Sequence, residues 1–276
     1  METTGSRLAG KTVGFIGGGN MAEALVRGLR TGGLPASQIR VAEPVAERRA
    51  VLAEKYGITV TARNGEVAES ADVVILAVKP QAAPPVLAEL APTATPELLL
   101  VSIMAGISCA TIEGAFAFPA RVVRVMPNTP ALVLAGASAL CGGTHATAAD
   151  LDLARSLFDP VGKTWIVEEK LMDAVTGLSG SGPAYVLTFI EALADAGVKN
   201  GLSREVALGL AVQTVLGTAR LIQETGEHPA VLRDKVTSPG GTTIAGLHAL
   251  EAGGFRATVA NGVEAATRRS VELGRK

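Results

Sequence analysis

Over the first 130 or so residues, short apolar runs alternate with longer stretches in which apolar positions recur every three to four residues. A short apolar run reads as a strand, buried on both faces if the run is unbroken; the longer spacing reads as a helix with one buried face. The predicted strands cover 11–16, 38–43, 58–60, 72–78, 98–102 and 121–126. Helical patterns fill the gaps, running from Asn20 to about residue 30, then over 46–56 and 65–70. Strands alternating with helices predict an α/β fold, an N-terminal doubly wound parallel sheet of Rossmann-like type with right-handed crossovers.

Past residue 167 the alternation stops. Helical patterns cover 168–178, 183–198, 204–226, 229–236, 242–252 and 255–274, and no run there reads as a strand. Two domains are therefore expected: a dinucleotide-binding domain over 1–167, and an all-α domain for dimerisation and substrate binding over 168–276. The stretches 183–198 and 204–226 are apolar on nearly every face, so each is buried or covered by a partner. A domain this small cannot hide both, which predicts a homodimer joined through the helical half.

Charge and composition remove several function classes. Basic and acidic residues number 25 and 26, and aromatics make up 3%. That is neither the basic footprint nor the stacking surface of a nucleic-acid binder. The two cysteines, Cys109 and Cys141, lack CxxC spacing, and His145, His228 and His248 are not at helical i,i+4 spacing. No metal is expected, and both cysteines read as small core residues. Residues 1–11 lack the apolar core of a signal peptide, and the later apolar stretches are broken by Glu191, Asp195 or glycines, short of a membrane span. The expectation is a soluble protein of a reducing compartment, the cytoplasm, with no membrane partner.

Gly17-x-Gly19-x-x-Ala22 lies between the first strand and the first helix, with Glu43 placed 21 positions past Ala22. Gly17 permits a tight turn, Gly19 lets the backbone approach a pyrophosphate, and Ala22 lets helix and strand pack; the helix N-terminus supplies N–H donors. In doubly wound sheets ligands lie outside the carboxyl ends of the strands. That makes Ala77-Val-Lys-Pro80, Met104-Ala-Gly106 and Met126-Pro-Asn-Thr-Pro130 the next candidates, with Lys79 and Asn128 as their polar groups. In the second half, Ser238-Pro-Gly-Gly-Thr-Thr243 sets Gly240, Gly241 and three hydroxyls before a helix, which suits a carboxylate. A second small-residue turn, 177–183, is expected to permit close helix approach. No histidine–carboxylate or cysteine–histidine pair reads as a nucleophile and base. A substrate arriving as an iminium needs orientation rather than acid help.

Gly-Phe-Ile-Gly-Gly-Gly-Asn-Met-Ala (14–22), Ala-Val-Lys-Pro (77–80), Val-Arg-Val-Met-Pro-Asn-Thr-Pro (123–130), Gly-Leu-Ser-Gly-Ser-Gly-Pro-Ala-Tyr (177–185) and Thr-Ser-Pro-Gly-Gly-Thr-Thr (237–243) follow one another in this order. From about residue 12 to 273 the chain resembles pyrroline-5-carboxylate reductases. The resemblance implies reduction of 1-pyrroline-5-carboxylate to L-proline with NADPH or NADH. It implies a cofactor site of Ile16, Gly17, Gly18, Gly19, Asn20, Met21, Asn64, Ala77, Val78, Lys79, Pro80, Met104, Ala105 and Gly106, to which the spacing adds Glu43. Substrate carboxylate would rest on Ser238, Gly240, Gly241, Thr242 and Thr243, near Asn128. Thr243, close to the ring nitrogen, and Lys79 are the catalytic candidates. Subunits would pair through the helical domain, with rings of dimers common.

Glu43 departs from the small or hydroxyl residue found in NADPH-favouring relatives, while Arg48 and Arg49 offer guanidinium groups to a phosphate, so cofactor choice stays open. Two other readings compete with this one. A 3-hydroxyacid dehydrogenase needs a lysine on the first interdomain helix with an asparagine one turn on, but here Lys170 is followed by Ala174 and the next lysine is Lys199. A non-catalytic dinucleotide sensor would not need the turn at 238–243.

Overall fold

The computed structural model describes residues 7–274. Its contacts divide the chain into two compact units: one holds the residues up to Ser181 and those from Ala265 onward, the other Gly182–Glu264. The last strand ends at Ile166, beside the expected boundary at 167. The first unit continues past it because Met172 and Val175 pack into the core of the sheet.

That sheet has eight strands: β1 (Val13–Ile16), β2 (Ile39–Ala42), β3 (Thr59–Thr61), β4 (Val73–Leu76), β5 (Leu99–Ser102), β6 (Arg121–Met126), β7 (Gly136–Gly142) and β8 (Gly162–Ile166). Their order is β3-β2-β1-β4-β5-β6-β7-β8. Strands β1, β4 and β5 are buried at every position, as central parallel strands are. Alternate residues feed two cores. Val13, Phe15, Val73, Ile75, Leu99 and Val101 face one side, where α1 (Asn20–Thr31), α2 (Ala46–Tyr56) and α6 (Ala148–Phe158) pack with Leu25, Leu52 and Leu157. Ile16, Val74, Leu76 and Leu100 face the other, covered by α3 (Asn64–Ala68), α4 (Ala83–Leu90), α5 (Cys109–Glu113) and α7 (Met172–Val175).

Two strands were not legible, and the sheet is not wholly parallel. β7 runs antiparallel to β6, and β8 then runs parallel to β7. β7 reads Gly-Ala-Ser-Ala-Leu-Cys-Gly and has none of the β-branched residues that mark a strand. β8 is a largely exposed edge strand of five residues, too short for its alternation to stand out. Where the two meet, Gly136 pairs with Gly162. Gly162 has φ +158° and a Cβ there would overlap the Gly136 carbonyl, so only glycine admits this approach.

The expected turn at 177–183 is instead a π-helical segment, Thr176–Gly180, running from α7 towards α8 (Gly182–Lys199). Ser181 N–H donates to the Thr176 carbonyl at 2.9 Å, one residue beyond α-helical reach. The second unit continues with α9 (Arg204–Thr225), α10 (Pro229–Lys235), α11 (Thr242–Ala252) and α12 (Phe255–Gly274), whose last turns belong to the first unit. Helices α8 and α9 meet through small residues: a Cβ on Gly197 would stand 2.9 Å from the Ala207 Cβ. Within one chain this unit buries little else than Ala194, Ala207 and Ala211, and leaves Leu187 66% and Leu210 57% exposed. By length and composition α9 could cross a membrane, with 22 residues and a mean hydropathy of 1.3 over its most apolar 18-residue window. The sequence expectation placed every apolar stretch short of that; Arg204, Glu205 and Glu224 fall at its ends, so that Arg220 is the one charge in the stretch between.

Gly162→Ala should destabilise the first unit by about 1–3 kcal/mol, the usual cost of a strained backbone position, read as a lower urea midpoint. A wild-type midpoint would show that the β7–β8 approach tolerates a side chain.

Candidate active site

The glycine turn is fixed from three sides. Gly17 N–H donates to the Ala42 carbonyl at 2.8 Å, tying the end of β1 to β2. Gly17 has φ +97°, and a Cβ there would come within 2.7 Å of the Ala77 carbonyl oxygen. Both the backbone conformation and the neighbouring strand therefore demand glycine. At Gly18 a Cβ would press on Leu52 at 2.8 Å, whereas at Gly19 it would meet nothing within 4 Å. The protein itself thus leaves Gly19 open, as close approach of a ligand requires. Gly19 is the N-cap of α1 and no side chain caps that helix, so its first N–H groups face outward as anion donors. These features fit a dinucleotide pyrophosphate.

The other cofactor candidates gather at the same carboxyl edge. Ala77 N–H donates to the Ile16 carbonyl at 2.8 Å and Ile103 N–H to the Leu76 carbonyl at 3.1 Å. Segments Ile16–Met21, Ala77–Pro80 and Met104–Gly106 therefore leave adjacent strands β1, β4 and β5. Lys79 is exposed and precedes a 3₁₀ turn that starts at Pro80. Met104 is buried, and its N–H donates to Ser102 Oγ, a buried hydroxyl that the sequence reading missed. Gly106 has φ +75°, which is why that exit carries glycine. Asn64 starts α3; its side chain donates to Glu89 on α4 at 2.7 Å, leaving its amide oxygen free of that bond.

Glu43 directly follows β2, with its carboxylate turned in towards the turn. Oε2 accepts from Gly18 N–H at 2.9 Å and Oε1 from Val45 N–H at 3.0 Å. Arg48 donates from Nε to the Gly18 carbonyl and from its terminal nitrogen to Glu23, both at 2.6 Å. Arg49 donates to the carbonyls of Glu43 and Pro44 at 2.7 and 2.8 Å. Glu23, in the first turn of α1, also accepts from Lys55 at 2.8 Å and from the Tyr56 hydroxyl at 2.9 Å. The Lys55 hydrogen bond, with Arg48 and Tyr56 behind it, holds the Glu23 carboxyl down to about 2 against the opposing effect of burial. An acidic residue one position past the fingerprint was the available signal for this network.

Asn128 has both ends of its amide engaged. Nδ2 donates to the Ser179 carbonyl at 3.1 Å and Oδ1 accepts from Ala137 N–H at 2.8 Å. One N–H and one lone pair are left over for a ligand.

Ser238–Thr243 lies in the second unit. Gly240 has φ +65°, Gly241 N–H donates to the Ser238 carbonyl at 3.1 Å, and a Cβ on Gly241 would run into the Ser238 hydroxyl. Gly241 is itself the N-cap of α11, and no side chain caps it. The hydroxyls of Ser238, Thr242 and Thr243 are thus not consumed in capping the helix.

A glycine turn suited to a dinucleotide on a doubly wound sheet, followed by a helical unit, is the plan of a nicotinamide-nucleotide oxidoreductase built in two parts. Comparison with known proteins agrees. Residues 12–106 match the family described as NADP oxidoreductase, coenzyme F420-dependent, and residues 169–273 match pyrroline-5-carboxylate reductase dimerisation. The chain is 51% identical to a pyrroline-5-carboxylate reductase of Glycine max over 95% of its own length and 96% of the relative's. Among solved structures, the Coxiella burnetii enzyme of that name aligns with a TM-score of 0.91 at 39% identity, covering 95% of this chain and 98% of that one. The Plasmodium falciparum pyrroline carboxylate reductase with NADP bound aligns at 0.85 and 35% identity, covering 96% and 98%. The chain belongs to the pyrroline-5-carboxylate reductase family.

Because the folded-state value of Glu23 lies below the ordinary 4.5, its ionised form stabilises the fold above about pH 4.5, and that contribution is lost as pH falls through about 2. Glu23→Gln should lower the urea midpoint at neutral pH, and its deficit should shrink as pH is taken from about 5 to about 2. A deficit independent of pH would mean that packing, not charge, holds this network.

Proposed function

We propose that this protein reduces 1-pyrroline-5-carboxylate to L-proline with a hydride from NADPH or NADH, the last step of proline synthesis. The observation that carries this reading is the turn at Ser238–Thr243, with two glycines and three hydroxyls at a helix start that no side chain caps. It is made for a small carboxylate rather than for closing the helix. Family membership supplies the rest of the support.

The cofactor, when bound, supplies the hydride. Gly17, Gly18, Gly19, Asn20 and Met21 hold its pyrophosphate, and Ala77–Pro80 with Met104–Gly106 flank the nicotinamide half. Asn64 and Glu43 take the remaining polar contacts, and the Lys79 cation orients the phosphates or the substrate anion. Ser238, Gly240, Gly241 and Thr242 hold the substrate carboxylate, and Thr243 bonds to the ring nitrogen. Asn128, bonded to the Ser179 carbonyl and to Ala137 N–H, offers its remaining amide N–H to the substrate. Hydride adds to the C=N carbon, the π electrons move to nitrogen, and the nitrogen keeps or gains one proton. A protonated imine already attracts hydride, so orientation is the main task of the protein, which fits the absence of an acid–base dyad among these residues. Thr243→Val, nearly the same shape, should cost about ten- to a hundredfold in kcat/KM, equivalent to roughly 1.5–3 kcal/mol for a charge-assisted hydrogen bond. Gly241→Val should cost more. Wild-type efficiency in both, or turnover of 3-hydroxyisobutyrate with none of the cyclic imine, would overturn the assignment.

We further propose that NADH serves at least as well as NADPH. The Glu43 carboxylate lies at the end of β2, where it can accept from an adenosine ribose hydroxyl and repel a phosphate. Arg48 and Arg49 are already bonded to backbone carbonyls and Glu23, which weakens their claim on that phosphate. Glu43→Ser should shift the ratio of kcat/KM values towards NADPH by at least about tenfold. A wild type favouring NADPH more than tenfold, unmoved by the substitution, would assign the choice to the arginines.

The working unit is proposed to be a homodimer joined through the helical half, with a ring of dimers as its larger form. The uncovered apolar faces of α8 and α9 and the match to a dimerisation family support this. They also give α9 an apolar partner other than a membrane. The cytoplasm is the proposed location, since both cysteines are free thiols, as in a reducing compartment. Light scattering should find at least two chains per particle at assay concentration; an active monomer would exclude the dimer.

A further inference from the structure

The sequence spacing gives no group of side chains suited to a metal, and it leaves both cysteines as core filler. Folding changes that picture. Cys141 in β7 is the direct cross-strand neighbour of Arg124 in β6. Cys109 is the first residue of α5, and Glu169 opens a 3₁₀ turn, Glu169–Leu171, shortly after β8. The two sulfurs and a Glu169 carboxylate oxygen all lie within 4.8 Å of one another, the one such group of three among the described residues. Nothing in the reaction assigned above uses any of them.

We propose that Cys109, Cys141 and Glu169 form a binding site for a single thiophilic divalent cation of the zinc class. Bonds of about 2.3 Å to each sulfur in a tetrahedral site set two sulfurs roughly 3.8 Å apart, inside the spread of the group. Two thiolates with one carboxylate favour zinc or cadmium over magnesium or calcium, which take oxygen ligands. Binding releases the two thiol protons to solvent, so the ligands together carry three negative charges. The cation contributes two positive charges and Arg124 the third, which leaves the site neutral. Arg124 is only 8% exposed and lies 3.3 Å from Glu169 Oε1; a buried guanidinium needs such compensation.

The supporting contacts are in place as well. Glu169 Oε1 accepts from Cys109 N–H at 2.8 Å and from Arg124, which fixes the carboxylate beside the sulfurs. Both cysteines are 1% exposed, while the Glu169 side chain is 33% exposed. The entry route and the fourth position, left to water, therefore lie on the Glu169 side. A bound ion ties the start of α5 to β7. Since α5 follows closely on Met104–Gly106, that tie stiffens one of the strand exits. The site itself does not depend on the reaction assigned above.

The test is a Cd²⁺ titration of the reduced full-length protein, followed by thiolate-to-cadmium absorption and by bound metal after dialysis. The chain has two cysteines in all, so the band reports on this pair alone. One Cd²⁺ per chain is expected, displaced by Zn²⁺ but not by Mg²⁺. Cys109→Ser and Cys141→Ser should each weaken binding at least about tenfold, and Glu169→Gln should weaken it while keeping the band. Zn²⁺ should raise the thermal midpoint of the wild type but not of the doubly substituted Cys109→Ser, Cys141→Ser protein. Absence of the band at one equivalent, saturation at one ion per two chains, or stoichiometry unchanged in the serine variants would overturn the site. The wild-type stoichiometry decides even where a variant fails to fold.

Discussion

The close approach of Gly17 to the Ala77 carbonyl oxygen is the constraint on which the rest of the first unit turns. β1 and β4 are neighbours in the centre of the sheet, and the chain must leave β1 sharply to begin α1 while β4 passes beside it. Only a left-handed residue without a Cβ satisfies both conditions. Once that turn is made, Gly19 falls at the N-terminus of α1 with open space around it, and the helix presents its free N–H groups there. The same steric condition that lets the sheet form leaves a helix start suited to an anion.

Polar groups then hold the turn from beneath. Glu43 takes the Gly18 N–H, Arg48 takes the Gly18 carbonyl, and Glu23 pairs with both Arg48 and Lys55. The turn thus rests on alternating charges from the end of β2, α1 and α2, with Glu23, Glu43 and Arg48 partly withdrawn from water. This arrangement makes Glu43 a structural residue as well as a candidate for cofactor choice. It also shows why counting arginines near the end of β2 overstates attraction for a phosphate: part of each guanidinium is already bonded to backbone carbonyls or to Glu23.

The helical unit follows another rule. Its closest internal packing uses Gly197 and Ala207, where small side chains let α8 and α9 come together. The larger side chains, Leu187 and Leu210 among them, point away from that contact and stay exposed in one chain. Burying large apolar residues contributes about 1.5–3 kcal/mol each, so such a surface is stable in water chiefly when a second surface covers it. The match of residues 169–273 to a dimerisation family names the class of that second surface.

The sequence by itself determined the alternation of strands and helices in the first half, the change to helices after 167, and the placing of both glycine turns. Those features are local: runs of Val, Ile and Leu, helical spacing, and glycines at strand exits declare themselves within a few residues. β7 and β8 did not, because a strand of Gly, Ala and Ser is specified by its neighbours, here the Gly136–Gly162 approach and the antiparallel pairing with β6. The π-helical segment at Thr176–Gly180 was hidden for a related reason, since glycine and serine read as a turn unless packing, here Met126 against Gly180, holds the helix continuous. Only the tertiary structure set Glu23 beneath the turn, bonded both ends of Asn128, and brought Cys109, Cys141 and Glu169 together. Such groups meet across dozens of residues of chain, and their partners are chosen by where strands and helices end, a matter that no local pattern records.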